Sequence, residues 1–383
     1  MNSNRDIIIR IDNIVYGGYG IGRIDGKIIF VESAIPGDVV KISLKEEYKD
    51  YSTAIIDNII EPSPQRVKPE CPVADLCGGC SYLNVSYDAE LDFKRLIIKD
   101  QLRRVANIKE EDLPEIKTIS DKRYGYRSHT RFNCGHGIKG FFRKGTNEIV
   151  GFPDKGCLLL SEELNRSIRE LEKCDTKKEI KAASGFNSII HFSEDSSSSE
   201  ITENVNDLYY HRDINGFFQA NRYLRDKMIQ QVVALSCTDK KSTFLDICSG
   251  CGFFTLPLGR MSKYGYGFDV DSGSISHAKK NAILNNINNL NFHKLAESEI
   301  KPHLYNTDFV VIDPPRSGLS KKGRHTVNAI NPPVIVYVSC NPSTFSRDLK
   351  DFMKNGYKLN KLIFIDMFPC TYHIEIISQL VRL

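Results

Sequence analysis

Between residue 7 and about residue 60 the apolar positions fall in short β-branched runs, IIIRIDNIV, KIIFVESAI, VVKISLKEE and YSTAIIDNII, with no helical period. Runs of this length, spaced by turns at Gly17, Gly18, Gly20 and Gly22, predict a small β-barrel. EPSPQRVKPECP then carries four prolines in twelve residues, which no regular element tolerates, and marks a boundary. The next stretch is mixed. In DAELDFKRLIIKDQLRRVA the apolar Leu91, Ile97, Ile98 and Leu102 recur mostly at helical spacing, so an amphipathic helix is expected. YRSHTRFNC, KGFFRKGTNEIVGFP and NSIIHFS read as strands, and SEDSSSSE as a polar tip with nothing to bury. From about residue 216, apolar strands (STFLDI, YGYGFDV, FVVIDPP, VIVYVSCNP, KLIFIDMFP, IEIISQLVRL) alternate with helical stretches. That alternation predicts an open, mostly parallel sheet covered by helices. The expected fold is therefore α/β in three parts. Residues 1–62 form a small OB-like barrel, 63–215 a mixed α/β central domain, and 216–383 a Rossmann-like domain.

Composition adds bounds. The 383 residues hold 52 basic and 48 acidic side chains, a net charge of +4, and are 41% hydrophobic. So weak a balance neither demands nor excludes nucleic acid, because a local patch decides. Arg123, Arg127, His129, Arg131, Lys139, Arg143 and Lys144 are candidates for such a patch, or for an ordinary solvated surface. No apolar run nears the ~20 residues of a membrane span, and the start lacks a leader's architecture. A cytoplasmic chain without a membrane partner is expected, and a monomer. Its eleven cysteines then do not read as a disulfide framework.

In a parallel sheet ligands bind beyond the carboxyl ends of the strands, and the chemistry-bearing residues of the last part fall there. Asp246 ends a strand before the turn Ser249, Gly250, Gly252, which opens a helix. A glycine turn lets a ligand approach the backbone. The third glycine of a dinucleotide fingerprint is missing, which argues against a pyrophosphate. Asp269, 23 residues later, ends the next strand, where a carboxylate can accept from a ribose diol. Together they suit a nucleoside cofactor such as S-adenosylmethionine. Glu297 is a further candidate for the adenine or the amino group, or a surface glutamate.

Asp313 stands at the end of VVID, stiffened by two prolines, and can accept an imino N–H from a planar base; Arg316 can contact phosphate or orient Asp313. Cys340 ends VIVYVSC beside Ser339 and Asn341. Cysteine within a strand is usually inert core, but at the ligand-facing end it is a candidate nucleophile. Glu375, between Ile374 and Ile376, is a candidate base whose pKa burial would raise; His373 shares its face if the segment is extended. Gln219 can hydrogen-bond a base, and Phe217 or Phe218 can stack on it.

CPVADLCGGC has the spacing C-x5-C-x2-C through Cys71, Cys77 and Cys80, a half-site for zinc or an iron–sulfur cluster. Cys157 is the first candidate for a fourth ligand and Cys134 the second; four thiolates suit either metal.

Taken together, YGGYGIGRIDGKIIFVESAIPGD, the Cys71–Cys80 segment, FFQAN, LDICSGCG, IDPPRSG, YVSCNP and MFPCTYHIE resemble the RNA 5-methyluridine methyltransferases. The likeness is strongest to the branch with an N-terminal TRAM domain and a central iron–sulfur cluster. The resemblance spans nearly the whole chain. It implies S-adenosylmethionine-dependent methylation of uridine C5 in RNA, with no DNA partner. It implies Cys340 as nucleophile, Glu375 as proton-abstracting base, and Asp313 with Gln219 on the uracil. The cofactor would lie against Gln219, Asp246, Ser249, Gly250, Gly252, Asp269, Glu297 and Asp313. A [4Fe–4S] cluster would sit on Cys71, Cys77, Cys80 and Cys157. The branch acts on 23S ribosomal RNA or, second, on uridine 54 of transfer RNA. Asp269 replaces the usual glutamate, His129 a lysine, and Cys370 a histidine. Rival readings are a small-molecule or protein methyltransferase with no need of the thiol, a non-catalytic RNA-binding protein, and a radical enzyme. The cysteine spacing disfavours the last.

Overall fold

The computed structural model describes residues 7–172, 176–194 and 199–383, so part of the polar tip SEDSSSSE lies outside the described residues. The chain divides into two compact units. One runs to Lys99 and adds Phe142–Glu148 and Phe368–His373; the other holds Asp100–Phe141, Ile149–Met367 and Ile374–Leu383.

In the first unit the predicted strands form as β1 (Ile7–Arg10), β2 (Asn13–Val15), β3 (Tyr19–Ile24), β4 (Lys27–Glu32), β5 (Val39–Glu47) and β6 (Tyr51–Glu61). They build one curled sheet in the order β1-β5-β6-β4-β3-β2. The β5–β6 register shifts at three places, and each bulge bends the ladder. Ile9, Val31, Val40, Ile42 and Ala54 fill the concave core. Gly20 explains one of the glycines: a Cβ there would lie 2.8 Å from the Ala34 carbonyl oxygen. Buried Asp38 accepts from Arg66 Nε at 2.7 Å and from the Ser63 amide at 2.9 Å, which ties the sheet to the proline-rich boundary. The amphipathic helix is α1 (Tyr87–Gln101). It buries an i,i+4 ion pair, Glu90–Lys94, at 2.8 Å. Glu90 also accepts the Cys370 N–H at 2.7 Å, which anchors the returning 368–373 segment.

The second unit begins with β7 (Ile116–Ile119). A five-stranded sheet follows, made of β8 (His129–Gly135), β9 (Ile138–Phe142), β10 (Ile149–Gly151), β11 (Lys178–Ser184) and β12 (Ile190–Glu194), in the order β10-β9-β8-β11-β12. α2 (Glu162–Glu170) places Leu164 and Ile168 in its core with Phe132 and Ile180. A hairpin, β13 (Glu200–Val205) and β14 (Leu208–Asp213), precedes α3 (Arg225–Leu235). Strands and helices then alternate as expected: β15 (Thr243–Ile247), α4 (Thr255–Met261), β16 (Tyr264–Asp269), α5 (Ser272–Leu284), β17 (Leu290–Lys294), β18 (Phe309–Ile312), α6 (Lys321–Ile330), β19 (Val334–Ser339), α7 (Pro342–Lys354), β20 (Tyr357–Ile365) and β21 (Glu375–Arg382). The sheet order is β17-β16-β15-β18-β19-β21-β20-β7. β15 to β19 are mutually parallel, and β21 runs antiparallel between β19 and β20. One strand departs from expectation. β7, from the stretch read as central domain, pairs in parallel with β20 and closes that edge of the sheet. An open edge would otherwise present unpaired backbone groups.

Candidate active site

From β15 the chain winds outward to β16 and β17, and from β18 it winds the other way to β19, β21 and β20. The reversal lies between β15 and β18, and a crevice forms there beyond the strand ends. The Asp313 N–H donates to the Ile247 carbonyl at 3.1 Å, so the loops after β15 and β18 start side by side. Asp246 is fully buried; its Oδ2 accepts from the Thr255 hydroxyl, while its Oδ1 and the Ser249 hydroxyl have no hydrogen-bond partner among the described residues. Burial lifts the Asp246 carboxyl to about 8 against that hydrogen bond, and Asp313 and Asp269 add to the rise. Gly250 (φ +53°) has nothing within 4 Å of where a Cβ would stand, so the turn backbone is open to a ligand. Its N–H donates at 2.9 Å to Asp269, whose other oxygen accepts from the Asp271 N–H at 2.8 Å. Orphaned buried acceptors, an open glycine turn and a second-strand acid fit a nucleoside with polar edges. Glu297 is held by the Ser320 N–H at 3.3 Å and packs over Gly323.

The reacting candidates meet on the other side of the switch. Ser339 of β19 is in register with Ile376 of β21, so Cys340 and Glu375 are the next residues out on adjacent strands. β21 starts at Glu375, which leaves His373 outside the strand. Asp313 follows Ile312, whose register partner on β19 is Tyr337. Burial pushes the Cys340 thiol up to about 12, with Glu375 and Asp313 adding and Arg316 opposing. Burial and Asp313 hold Glu375 well above the usual carboxylate range, again against Arg316. Burial alone lifts Asp313 to about 7. The four side chains thus share one field. Asn341 locks the two loops: its Oδ1 caps α7 by accepting the Ser343 N–H at 3.0 Å, and its Nδ2 donates to the Arg316 carbonyl at 3.0 Å.

A second support was missed in the sequence. Asp348, fully buried on α7, accepts from Tyr337 Oη at 2.7 Å, the Leu319 N–H at 2.8 Å, Arg347 Nε at 2.9 Å and Arg324 at 3.1 Å. Both arginines also donate to the Leu319 carbonyl, clamping the chain just after Arg316. The available signal was an acid on an apolar helical stripe, beside Phe345, Leu349 and Phe352.

The two phenylalanines of FFQAN separate. Phe217 is 74% exposed, whereas Phe218 is buried at 2% with its ring against the guanidiniums of Arg212 and Arg225. Phe218 is therefore core and cannot stack on a base; the expectation narrows to Phe217. Both arginines pair with buried Glu203, at 2.8 and 2.9 Å. Arg225 Nε donates at 2.6 Å to the Gln219 carbonyl, which fixes that buried residue's backbone.

Two other expectations change. Among the described residues no group of three or more His, Cys, Asp or Glu side chains is gathered to hold a metal ion. Cys71, Cys77 and Cys80 belong to the first unit and Cys157 to the second. Burial raises the Cys77 thiol, whose sulfur accepts from the Gly79 N–H at 3.4 Å. Cys134 is buried and disulfide-bonded, which removes it as a ligand. The spacing brings three thiols close along the chain, but a [4Fe–4S] site is not supported among the described residues. The basic patch is also largely spent. Arg131 pairs with Glu179, Arg143 with Glu148 and Lys144 with Glu32. Lys139 donates to carbonyls at the end of α2, and burial with neighbouring arginines keeps His129 uncharged.

Residues 160–382 match the family model described as tRNA (Uracil-5-)-methyltransferase. The chain belongs to this family. An RNA methyltransferase of Aquifex aeolicus is 32% identical over 98% of this chain and 99% of its own length. The 23S rRNA (uracil(1939)-C(5))-methyltransferase of Photorhabdus laumondii is 28% identical over 97% of this chain and 96% of its own. The solved tRNA (uracil-54, C5)-methyltransferase of Pyrococcus abyssi, in complex with S-adenosyl-L-homocysteine, covers 98% of this chain and all of its own, with TM-score 0.76 and 23% identity. That likeness gives the fold, a curled N-terminal sheet with a Rossmann-like methyltransferase unit. As a uracil-C5 methyltransferase the protein acts on RNA with S-adenosylmethionine as donor. No helix among the described residues is long and apolar enough to cross a membrane.

Proposed function

We propose that this protein methylates carbon 5 of a uridine in RNA with Cys340 as nucleophile and Glu375 as base. The observation that carries the reading is the β19–β21 register, which sets these two residues side by side next to Asp313. Carbon 5 of uracil is a weak nucleophile. In this scheme Cys340 loses its proton to a neighbouring carboxylate, and its sulfur adds to carbon 6. The C5–C6 π electrons move toward O4, and the resulting enolate makes carbon 5 nucleophilic. S-adenosylmethionine, when bound, supplies an electrophilic methyl group. Glu375 then takes the carbon 5 proton, the C5–C6 double bond re-forms, and the S–C6 bond breaks to free the cysteine. Asp313 and Gln219 hold the ring, Phe217 offers a stacking face, and Arg316 opposes the negative field. Asp246, Ser249, Gly250, Gly252, Asp269 and Glu297 surround the donor. The iron–sulfur cluster has no comparable support, and no step passes through it.

Cys340→Ala should reduce methyl transfer to background. Glu375→Gln should accumulate a covalent protein–RNA adduct, seen as a slower band on a denaturing gel; normal turnover by either variant would refute its assigned role. A loop uridine of transfer RNA is the leading target, favoured by the family description and by the full-length Pyrococcus match. The Photorhabdus relative supports 23S ribosomal RNA as the second. Mapping 5-methyluridine in both RNAs from cells with and without the gene decides.

A further inference from the structure

A cavity of about 220 Å³ opens in the second unit, apart from the strand-end crevice. Phe186, Asn187, Ser188, Asn204, Arg222 and Arg225 are among its lining residues. Its lining sets Glu203 and Asp226 against Arg222 and Arg225, a balanced charge that does not favour a phosphate. Its size falls below the ~300–1,000 Å³ of pockets for drug-sized ligands, so it suits a small planar group. Three of its polar side chains keep hydrogen-bonding capacity. The Asn187 amide and Ser188 hydroxyl have no hydrogen bond among the described residues, and Asn204 spends only its Nδ2, on the Leu208 carbonyl at 3.4 Å. An amide that donates and accepts beside a hydroxyl matches the mixed edge of a nucleobase. At the rim Phe186 is 37% exposed and meets the 42% exposed Tyr209 edge to face at 5.3 Å, which leaves an aromatic surface for stacking. Asn187 and Ser188 both have positive φ, 56° and 58°, which aims this turn at some conformational cost.

Placement completes the case. Arg222 lies three residues after Gln219, and three residues span at most about 10 Å. We propose that this cavity receives the base of a second RNA nucleotide, flanking the target uridine. The proposal rests on the RNA-methylating reading given above. It makes the cavity a subsite that selects the sequence or fold around the methylated position.

The test uses the full-length protein and labelled RNA, either the uridine-54 stem–loop of transfer RNA or the ribosomal fragment, whichever binds more tightly. Single abasic substitutions within three nucleotides of the uridine are read by fluorescence anisotropy. One flanking position should weaken binding by about tenfold, as expected for losing one stacked base. Phe186→Ala/Asn187→Ala, in an exposed turn, should weaken intact RNA to a similar extent and abolish sensitivity at that position. Its kcat at saturating RNA should stay within twofold. If no flanking position matters, or the variant keeps full sensitivity, the subsite is refuted. Base-dependent binding without methyl transfer would leave the subsite standing and remove the activity.

Discussion

Asp313 shows how much one carboxylate governs its neighbours. Burial lifts it to about 7, and its charge helps raise both Cys340 and Glu375. A base held well above the carboxylate range is protonated in acid, so the rate should climb as pH rises. Asp313→Asn removes a negative neighbour, which makes Glu375 easier to deprotonate. Single-turnover rates should fall, but their acid limb should move to lower pH; an unmoved limb would mean that the two groups do not interact. Asp246 carries a different consequence. Its folded pKa of about 8 exceeds the ~3.9 of an unfolded aspartate, so the folded state holds the extra proton between those values. Stability contributed by that proton is complete below the lower value and lost as pH rises toward the higher. Asp246→Asn should therefore melt higher relative to wild type at pH 8 than at pH 5, a comparison for differential scanning calorimetry. Equal offsets at both pH values would show that Asp246 does not titrate there. The types of these residues, and their position at strand ends, were legible in the sequence. The upward shift of Glu375 was also expected there, but those of Asp246 and Asp313 were not, because their burial is set by residues distant along the chain. Phe217 and Phe218 make the same point: adjacent identical rings, one solvent-exposed and one walled in by arginines.

At the scale of elements, the loop after β18 and the N-terminus of α7 act as one piece. Asn341 does two jobs through two atoms, and substitutions separate them. Asn341→Ala loses the cap, worth about 1 kcal/mol, and also the bond to the Arg316 carbonyl. Asn341→Asp keeps an oxygen for the cap and loses only the donor. The aspartate variant should therefore melt near wild type while its kcat falls as far as the alanine variant's, by up to about 100-fold for an ångström of misplacement. Full kcat in the aspartate variant would show that the tie to Arg316 does not position the site. Most elements of the second unit were readable from period alone, since strands buried on both faces leave continuous apolar runs. β7 was not: IKTI is too short to announce that it would pair with β20 across more than two hundred residues. The Asp348 clamp was hidden for a related reason, because its partners come from a helix, a strand and a loop that meet only after folding.

For the whole molecule, a net charge of +4, with three of the seven expected basic groups in ion pairs and His129 uncharged, argues for modest electrostatic attraction to RNA. Each phosphate neutralised by a basic group contributes to the slope of log affinity against log salt. That slope should be shallow here, giving less than about a tenfold loss between 50 and 200 mM salt, where proteins with six to ten phosphate contacts lose about 10³–10⁵. A steep slope in a filter-binding titration would reveal a phosphate-binding face that these pairings obscure. The sequence by itself determined the order of the strand-end motifs, the α/β class and the chemical kinds of the reacting groups. All of these are written in local period and residue type. Only tertiary structure decided which groups meet. Cys340 and Glu375 stand 35 residues apart and become neighbours because β21 turns antiparallel and inserts beside β19. Cys71, Cys77 and Cys80 stand within ten residues and still form no gathered metal site among the described residues. Proximity along a chain constrains where a side chain can reach. Strand order and direction, set by how elements bury one another's apolar faces, determine where it ends up.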